Sequence, residues 1–192
     1  MKLYYNPRSR ATIARWMIEE CGADYEVVHV DFEAGDNKTP DFLAINPAGK
    51  LPVLVDGDLR MYENTAICLY LAERFPEANL APAISDPLRG RYLTLCVYST
   101  SQLEPAMGDV LLKQETSPHR GWTSWEAVLD LLTRELGEGP YLLGERFSTA
   151  DLLIAAQFSW FRMFGNELPA PLSDYVDRMV SRPAAAAIVP GA

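Results

Sequence analysis

The stretch 46–67, NPAGKLPVLVDGDLRMYENTAI, constrains the fold of this chain more than any other segment. Two short apolar runs flank Asp56-Gly57, a strong hairpin signal because glycine takes positive φ without a Cβ penalty. Val53 to Val55 and Leu59 to Met61 are therefore predicted strands. Pro52 suits the first residue of a strand, where no ladder donor is required. A helical run follows from Thr65 to Phe75, with Asn64 as its expected N-cap. This order aims free main-chain N–H groups and the Glu63 carboxylate at one point beside Leu51-Pro52. A zwitterionic, peptide-like ligand suits such a point, because helix starts attract anions and the acid attracts an ammonium group.

The residues before this unit alternate between strand and helix. Leu3 to Tyr5 is a short strand candidate, and Ala11 to Cys21 carries Ile13, Met17 and Cys21 at helical spacing before Gly22 ends it. Tyr25 to Val30 is β-branched and alternating, a second strand. Pro40 to Ile45 reads as a short helix. The resulting βαβ–α–ββα order fills residues 1–78 and predicts an α/β domain, a small mixed sheet with helices on both faces. Pro76 to Pro87, rich in Pro and Ala, marks the passage to a second domain, with 79–85 as the linker.

Residues 86–192 read as all-helical. A long helix starts at Asp86-Pro87 and should kink or break at Pro105. A second runs from Trp122 to Leu136, ended by Gly137. Ser148-Thr149-Ala150-Asp151 is a capping box opening a third. The last spans Leu172 to Ser181 and stops before Pro183, ahead of the low-complexity run Ala184 to Ala187.

Composition narrows the function. Across 192 residues the net charge is −9 with no compensating Lys/Arg run, which disfavours nucleic acid and anionic membranes as partners. No apolar stretch approaches a membrane span, and the start, MKLYYNPRSRA, lacks a signal peptide. Cys21, Cys68 and Cys96 are scattered without a CxxC, fitting a reducing cytoplasm rather than a disulfide framework. His29 and His119 have no second ligand at metal spacing, so no metal site is expected.

Three segments, YYNPRSRATIARWMIEE, NPAGKLPVLVDGDLRMYENTAICLYLAERFP and YLLGERFSTADLLIAA, resemble the cytosolic glutathione transferase family in order and spacing, over nearly the whole chain. The first segment is similar to the catalytic loop of its serine-type, bacterial-type members. The resemblance implies a thioredoxin-like domain followed by an all-helical domain, assembled as a homodimer, with glutathione as cosubstrate and no metal. Tyr62, Tyr70 and the long helix after Pro87 are the interface candidates. No cysteine lies between Asn6 and Arg10, so dithiol exchange is excluded.

Carried over residue by residue, the resemblance implies roles for eight positions. Ser9 matches the serine that would donate to the glutathione sulfur; on the residues alone it is equally a cap of the first helix. Tyr5 is the rival donor, and Arg10 adds positive potential nearby. Lys50 meets the glycine carboxylate, Leu51 pairs its main chain with the cysteinyl part, and Pro52 is cis. Glu63 faces the ammonium group, and Asn64 meets the γ-glutamyl carboxylate through helix N–H groups. The family most often has Ser or Thr at the position of Asn64, a departure that bears on binding. Met107, Val110, Leu111, Trp160, Phe161 and Phe164 are candidates to line an apolar pocket or to be ordinary core.

The implied activity is activation of the glutathione thiol for attack on a small, apolar electrophile, as in detoxification. Peroxide reduction is a variant, isomerase or dehalogenase chemistry a further one, and a non-catalytic binding or protein-interaction role the alternative from another class. Lowering a thiol pKa by ~2 units takes roughly 2.7 kcal/mol. One hydrogen bond to the charged sulfur supplies ~1.5–3 kcal/mol, and a helix start ~0.3–1 kcal/mol more.

Overall fold

The computed structural model describes residues 1–115, 117, 119–186 and 188–189. These residues cluster into two compact units, Met1–Ala78 and Asn79–Ala192; Ala187, at the end of the alanine run, lies outside the described residues.

In the first unit, β1 (Lys2–Tyr5) is followed by α1 (Ala11–Glu20), β2 (Glu26–His29), α2 (Pro40–Ile45), β3 (Val53–Asp56), β4 (Leu59–Tyr62) and α3 (Asn64–Arg74). The four strands form one mixed sheet in the order β2-β1-β3-β4, with β1 and β2 parallel and the other pairs antiparallel. Gly57 takes φ 59 in the β3–β4 hairpin, the conformation the Asp-Gly pair favours. Alternation along β1 buries Leu3 and Tyr5, while Ile13, Ala14 and Met17 of α1 and Ile67, Cys68 and Leu71 of α3 are also buried. Helices α1 and α3 pack against each other.

The register does the work of assembly. Tyr4 pairs with Val53, and Val53 pairs with Tyr62. The segments that follow or precede these strand ends, 6–10 after β1, 51–52 before β3 and 63–64 after β4, therefore meet at one end of the sheet.

The second unit contains α4 (Arg89–Tyr98), α5 (Glu104–Leu111), α6 (Trp125–Leu136), α7 (Thr149–Met163), α8 (Ala170–Val180) and α9 (Pro183–Ala186). Residues 79–85, expected as a linker, join this unit: Leu80 is buried and its carbonyl accepts from the Thr149 N–H at 2.9 Å and hydroxyl at 3.1 Å. Helix α7 is its core element, buried along nearly its whole length.

Three sequence expectations change. The break at Pro105 is a change of hydrogen bonding: residues Ser99–Leu103 form a π-helical turn joining α4 to α5, with Pro105 in the first turn of α5. Proline lacks the N–H that would continue an α-helical ladder, and a wider turn absorbs the gap. Trp122 is not helical. Its indole N–H donates to Asp109 at 2.9 Å, Arg120 pairs with the same buried carboxylate, and Ser124 instead caps α6 by accepting from the Ala127 N–H. Pro183 does not follow the final helix but opens the short α9, where its missing N–H is not required.

Candidate active site

The loop from β1 to α1 is held by its own polar groups. Asn6 is buried; its amide donates to the Val30 carbonyl at 2.8 Å, and its side-chain oxygen accepts from the Arg8 N–H at 2.9 Å. The Asn6 carbonyl in turn accepts from the Ser9 N–H at 3.1 Å and the Ser9 hydroxyl at 2.7 Å. Ser9 Oγ also accepts from the Ala11 N–H at 3.2 Å, at the start of α1. The hydroxyl oxygen is thus fixed against the helix start, and its proton is shared with a single carbonyl. A hydroxyl rotor placed this way can turn its proton toward an incoming anion, exchanging a neutral hydrogen bond for a charge-assisted one.

Tyr5 is placed differently. It is 4% exposed, and its ring lies 5.1 Å below the Arg15 guanidinium of α1. Arg15 also donates to Tyr25 Oη at 3.0 Å, and Tyr25 donates to Glu19 at 2.6 Å. The Tyr5 ring therefore packs against a side-chain network anchored on α1. Arg10 is exposed, and its carbonyl faces α3.

A second loop presents Lys50, Leu51 and Pro52. Asn46 is 1% exposed and clamps it: its amide donates to the Lys50 carbonyl at 2.8 Å, and its side-chain oxygen accepts from the Ala48 N–H at 3.0 Å. Asn37 donates to the Gly49 carbonyl at 2.8 Å. Gly49 has φ 63, and a Cβ there would lie 3.0 Å from the Asn37 carbonyl oxygen, so glycine is required on both counts. Lys50 is exposed, whereas Leu51 and Pro52 are buried, and the bond between them is cis. Leu51 stands outside the ladder of β3, which begins at Val53.

The third segment starts α3. The sequence places the N-cap at Asn64, but the cap is Glu63 and Asn64 is the first helical residue. Glu63 has φ 76 and ψ 115 and makes no side-chain cap. A non-glycine residue at positive φ stores strain of about 1–3 kcal/mol, a feature that clusters at ligand sites. Its exposed carboxylate is left beside the start of an eleven-residue helix. Asn64 is 8% exposed, and its amide donates to the Arg10 carbonyl at 3.0 Å.

The structure thus gathers Ser9, Arg10, Leu51, Pro52, Glu63 and Asn64 at one sheet end, with Lys50 next to it and Tyr5 turned into α1. Sequence reasoning missed Asn6, Asn37 and Asn46, whose side chains shape the loops. Asparagine before a turn is the signal that points to such residues. Of the candidates for an apolar pocket, Met107 and Phe161 are core, the latter stacked 4.4 Å from Trp125, and Phe164 is 58% exposed. Among the described residues no three potential metal ligands cluster.

These features coincide with a known family. Residues 1–73 match the family model of the glutathione S-transferase N-terminal domain, and residues 114–186 that of its C-terminal domain. Glutathione S-transferase F14 of Arabidopsis thaliana is 36% identical over 154 residues, 72% of this chain; the match spans 60% of that relative's own length. Probable glutathione S-transferase GSTF2 of Oryza sativa subsp. japonica is 32% identical over 168 residues, covering 79% of this chain and 76% of the relative. A sphingomonad glutathione S-transferase solved with glutathione superposes with a TM-score of 0.77 at 31% identity, over 98% of this chain and 97% of the other. The chain belongs to the glutathione S-transferase family, with the thioredoxin-like N-terminal and helical C-terminal domains that define it.

Proposed function

We propose that this chain is a glutathione transferase that ionises the thiol of glutathione at Ser9 and directs the thiolate at a small, apolar electrophile. The observation that carries this reading is the Ser9 hydroxyl, fixed on the first N–H of α1 and free to rotate from the Asn6 carbonyl toward a sulfur. Leu51 offers main-chain groups outside the ladder for the cysteinyl part, as an added strand uses them. Lys50 serves the glycine carboxylate. Glu63 serves the ammonium group, and the open start of α3 serves the γ-glutamyl carboxylate.

The thiolate attacks the electrophilic carbon; the new bond is sulfur to carbon, and the leaving group departs with its electron pair or, in an addition, a proton is taken up. The nucleophile belongs to the cosubstrate, so the protein contributes position and charge stabilisation. Tyr5 packs the sheet, and Arg10 adds positive potential at the loop. The homodimer and a cytoplasmic location are parts of the same reading. The buried thiols of Cys21, Cys68 and Cys96, which form no disulfide, support the location, and exposed Tyr62, Leu93 and Val97 support an interface.

The test pairs calorimetric titration with glutathione and a conjugation assay with chlorodinitrobenzene. Binding together with turnover is expected. Heat of binding without turnover on any electrophile or peroxide would favour the non-catalytic alternative, and no heat at millimolar glutathione would end the proposal.

A further inference from the structure

Asn64 is built as a link between helices. Its amide nitrogen donates to the Arg10 carbonyl, the same oxygen that accepts from the Ile13 N–H at 3.1 Å as the first turn of α1 closes. Only the NH2 end of an asparagine can face a carbonyl, so this contact fixes which way the amide points. The other end, Oδ1, is then buried without a hydrogen-bond partner among the described residues. An orphaned buried acceptor opposes stability, so fold stability alone does not account for this side chain. The residue after Arg10, Ala11, donates to Ser9 Oγ. One bonded path therefore runs from the start of α3 through the Arg10 carbonyl to the hydroxyl at the sulfur position.

Building on the proposed function, we infer that Asn64 is a positioning residue that acts through Arg10. Its amide holds the first turn of α1, and with it the Ser9 hydroxyl, in the orientation that stabilises the thiolate, while the γ-glutamyl carboxylate is taken by main-chain N–H groups of α3. A serine or threonine hydroxyl at this position sits one bond closer to the main chain than the Asn64 amide nitrogen that reaches Arg10. The departure from Ser or Thr is thus a different device for linking the two ligand-binding helix starts.

The test uses Asn64→Ala and Asn64→Ser, the latter keeping a small polar group should the alanine variant fold poorly. In the ligand-free protein, hydrogen exchange at the Ala11 and Ile13 amides is expected to quicken in both variants. In the glutathione complex, the ultraviolet thiolate absorbance is expected to titrate about one pH unit higher, a tenfold smaller thiolate fraction near neutrality. Glutathione affinity measured below that titration is expected to stay within about threefold, with turnover recovering at higher pH. Unchanged exchange, or an unchanged thiol titration, overturns the inference. Affinity weakened tenfold or more with the thiol titration unmoved would make Asn64 a direct ligand contact and overturn it equally. If the parent protein takes up no glutathione, the proposed function falls, and the exchange measurement still decides whether Asn64 holds α1.

Discussion

At the start of α7, Asp151 accepts from the Ser148 N–H and hydroxyl at 2.9 Å each, from the Leu142 N–H at 2.8 Å and from the Tyr175 hydroxyl at 3.1 Å. At the start of α3, Glu63 occupies the cap position with a strained φ of 76, makes no side-chain cap, and precedes an asparagine with an orphaned oxygen. Both are helix beginnings with an acidic residue in the cap region, yet one is closed by its own side chains and the other is left open. The difference separates a terminus closed by folding contacts from one that, under the proposed function, is kept for a ligand. A closed cap satisfies the donors at a helix start internally. An open one keeps main-chain N–H groups for an anion and carries a cost that the rest of the domain offsets.

The comparison breaks most sharply at Asp151. Replacing it with alanine strands the N–H groups of Ser148 and Leu142 and the Tyr175 hydroxyl in a buried place, so Asp151→Ala is expected to lose about 3–5 kcal/mol of stability in urea unfolding. A loss under about 1 kcal/mol would show that α7 does not depend on its cap.

At the open sites the expected effects are functional instead. Ser9→Ala is expected to lower turnover by roughly 10–100-fold, the worth of one hydrogen bond to a thiolate, with glutathione affinity nearly unchanged. Full turnover in that variant would move the donor role to another group, Arg10 or Tyr5 being the next to replace. Glu63→Gly is smaller and of opposite sign for folding. Relief of the positive φ is expected to stabilise by about 1 kcal/mol, while glutathione binding weakens through loss of the carboxylate. If binding held while stability rose, Glu63 would have no ligand role.

The smallest effect is in pH dependence. Burial pushes the Asp151 carboxyl above its ordinary value of 3.8, against the pull of its hydrogen bonds. A raised folded-state value means the folded form binds the proton more tightly. Stability from this group is complete below about pH 3.8 and declines as pH rises through the raised value. Asp151→Asn is expected to flatten that decline in urea midpoints taken across the window. A slope that survives the substitution would belong to other groups.

Much of the fold is legible in the residues, because each signal is local. Asp56-Gly57 specifies its hairpin through one dihedral, and Ser148 with Asp151 specifies the start of α7 through one pair of side chains. Trp122 is illegible for the converse reason: its helical pattern is overruled by a buried Asp109 thirteen positions earlier. The gathering of residues 6–10, 51–52 and 63–64 depends on strand register, which periodicity leaves open. The strain at Glu63 has no signature, since nothing about a glutamate announces a positive φ. Resemblance points to the candidate residues; the asparagines that shape their loops, Asn6, Asn37 and Asn46, carry no such signal because each acts on a carbonyl distant or unremarkable in sequence.

The proposed chemistry turns on Ser9 and the start of α1 holding a thiolate. Thiolate absorbance of the glutathione complex, titrated across neutral pH, tests it most directly. Ionisation about two units below that of free glutathione is expected in the parent protein, with a return toward the free value in Ser9→Ala. A bound thiol that ionises like the free tripeptide, or one that stays low without the Ser9 hydroxyl, would contradict it.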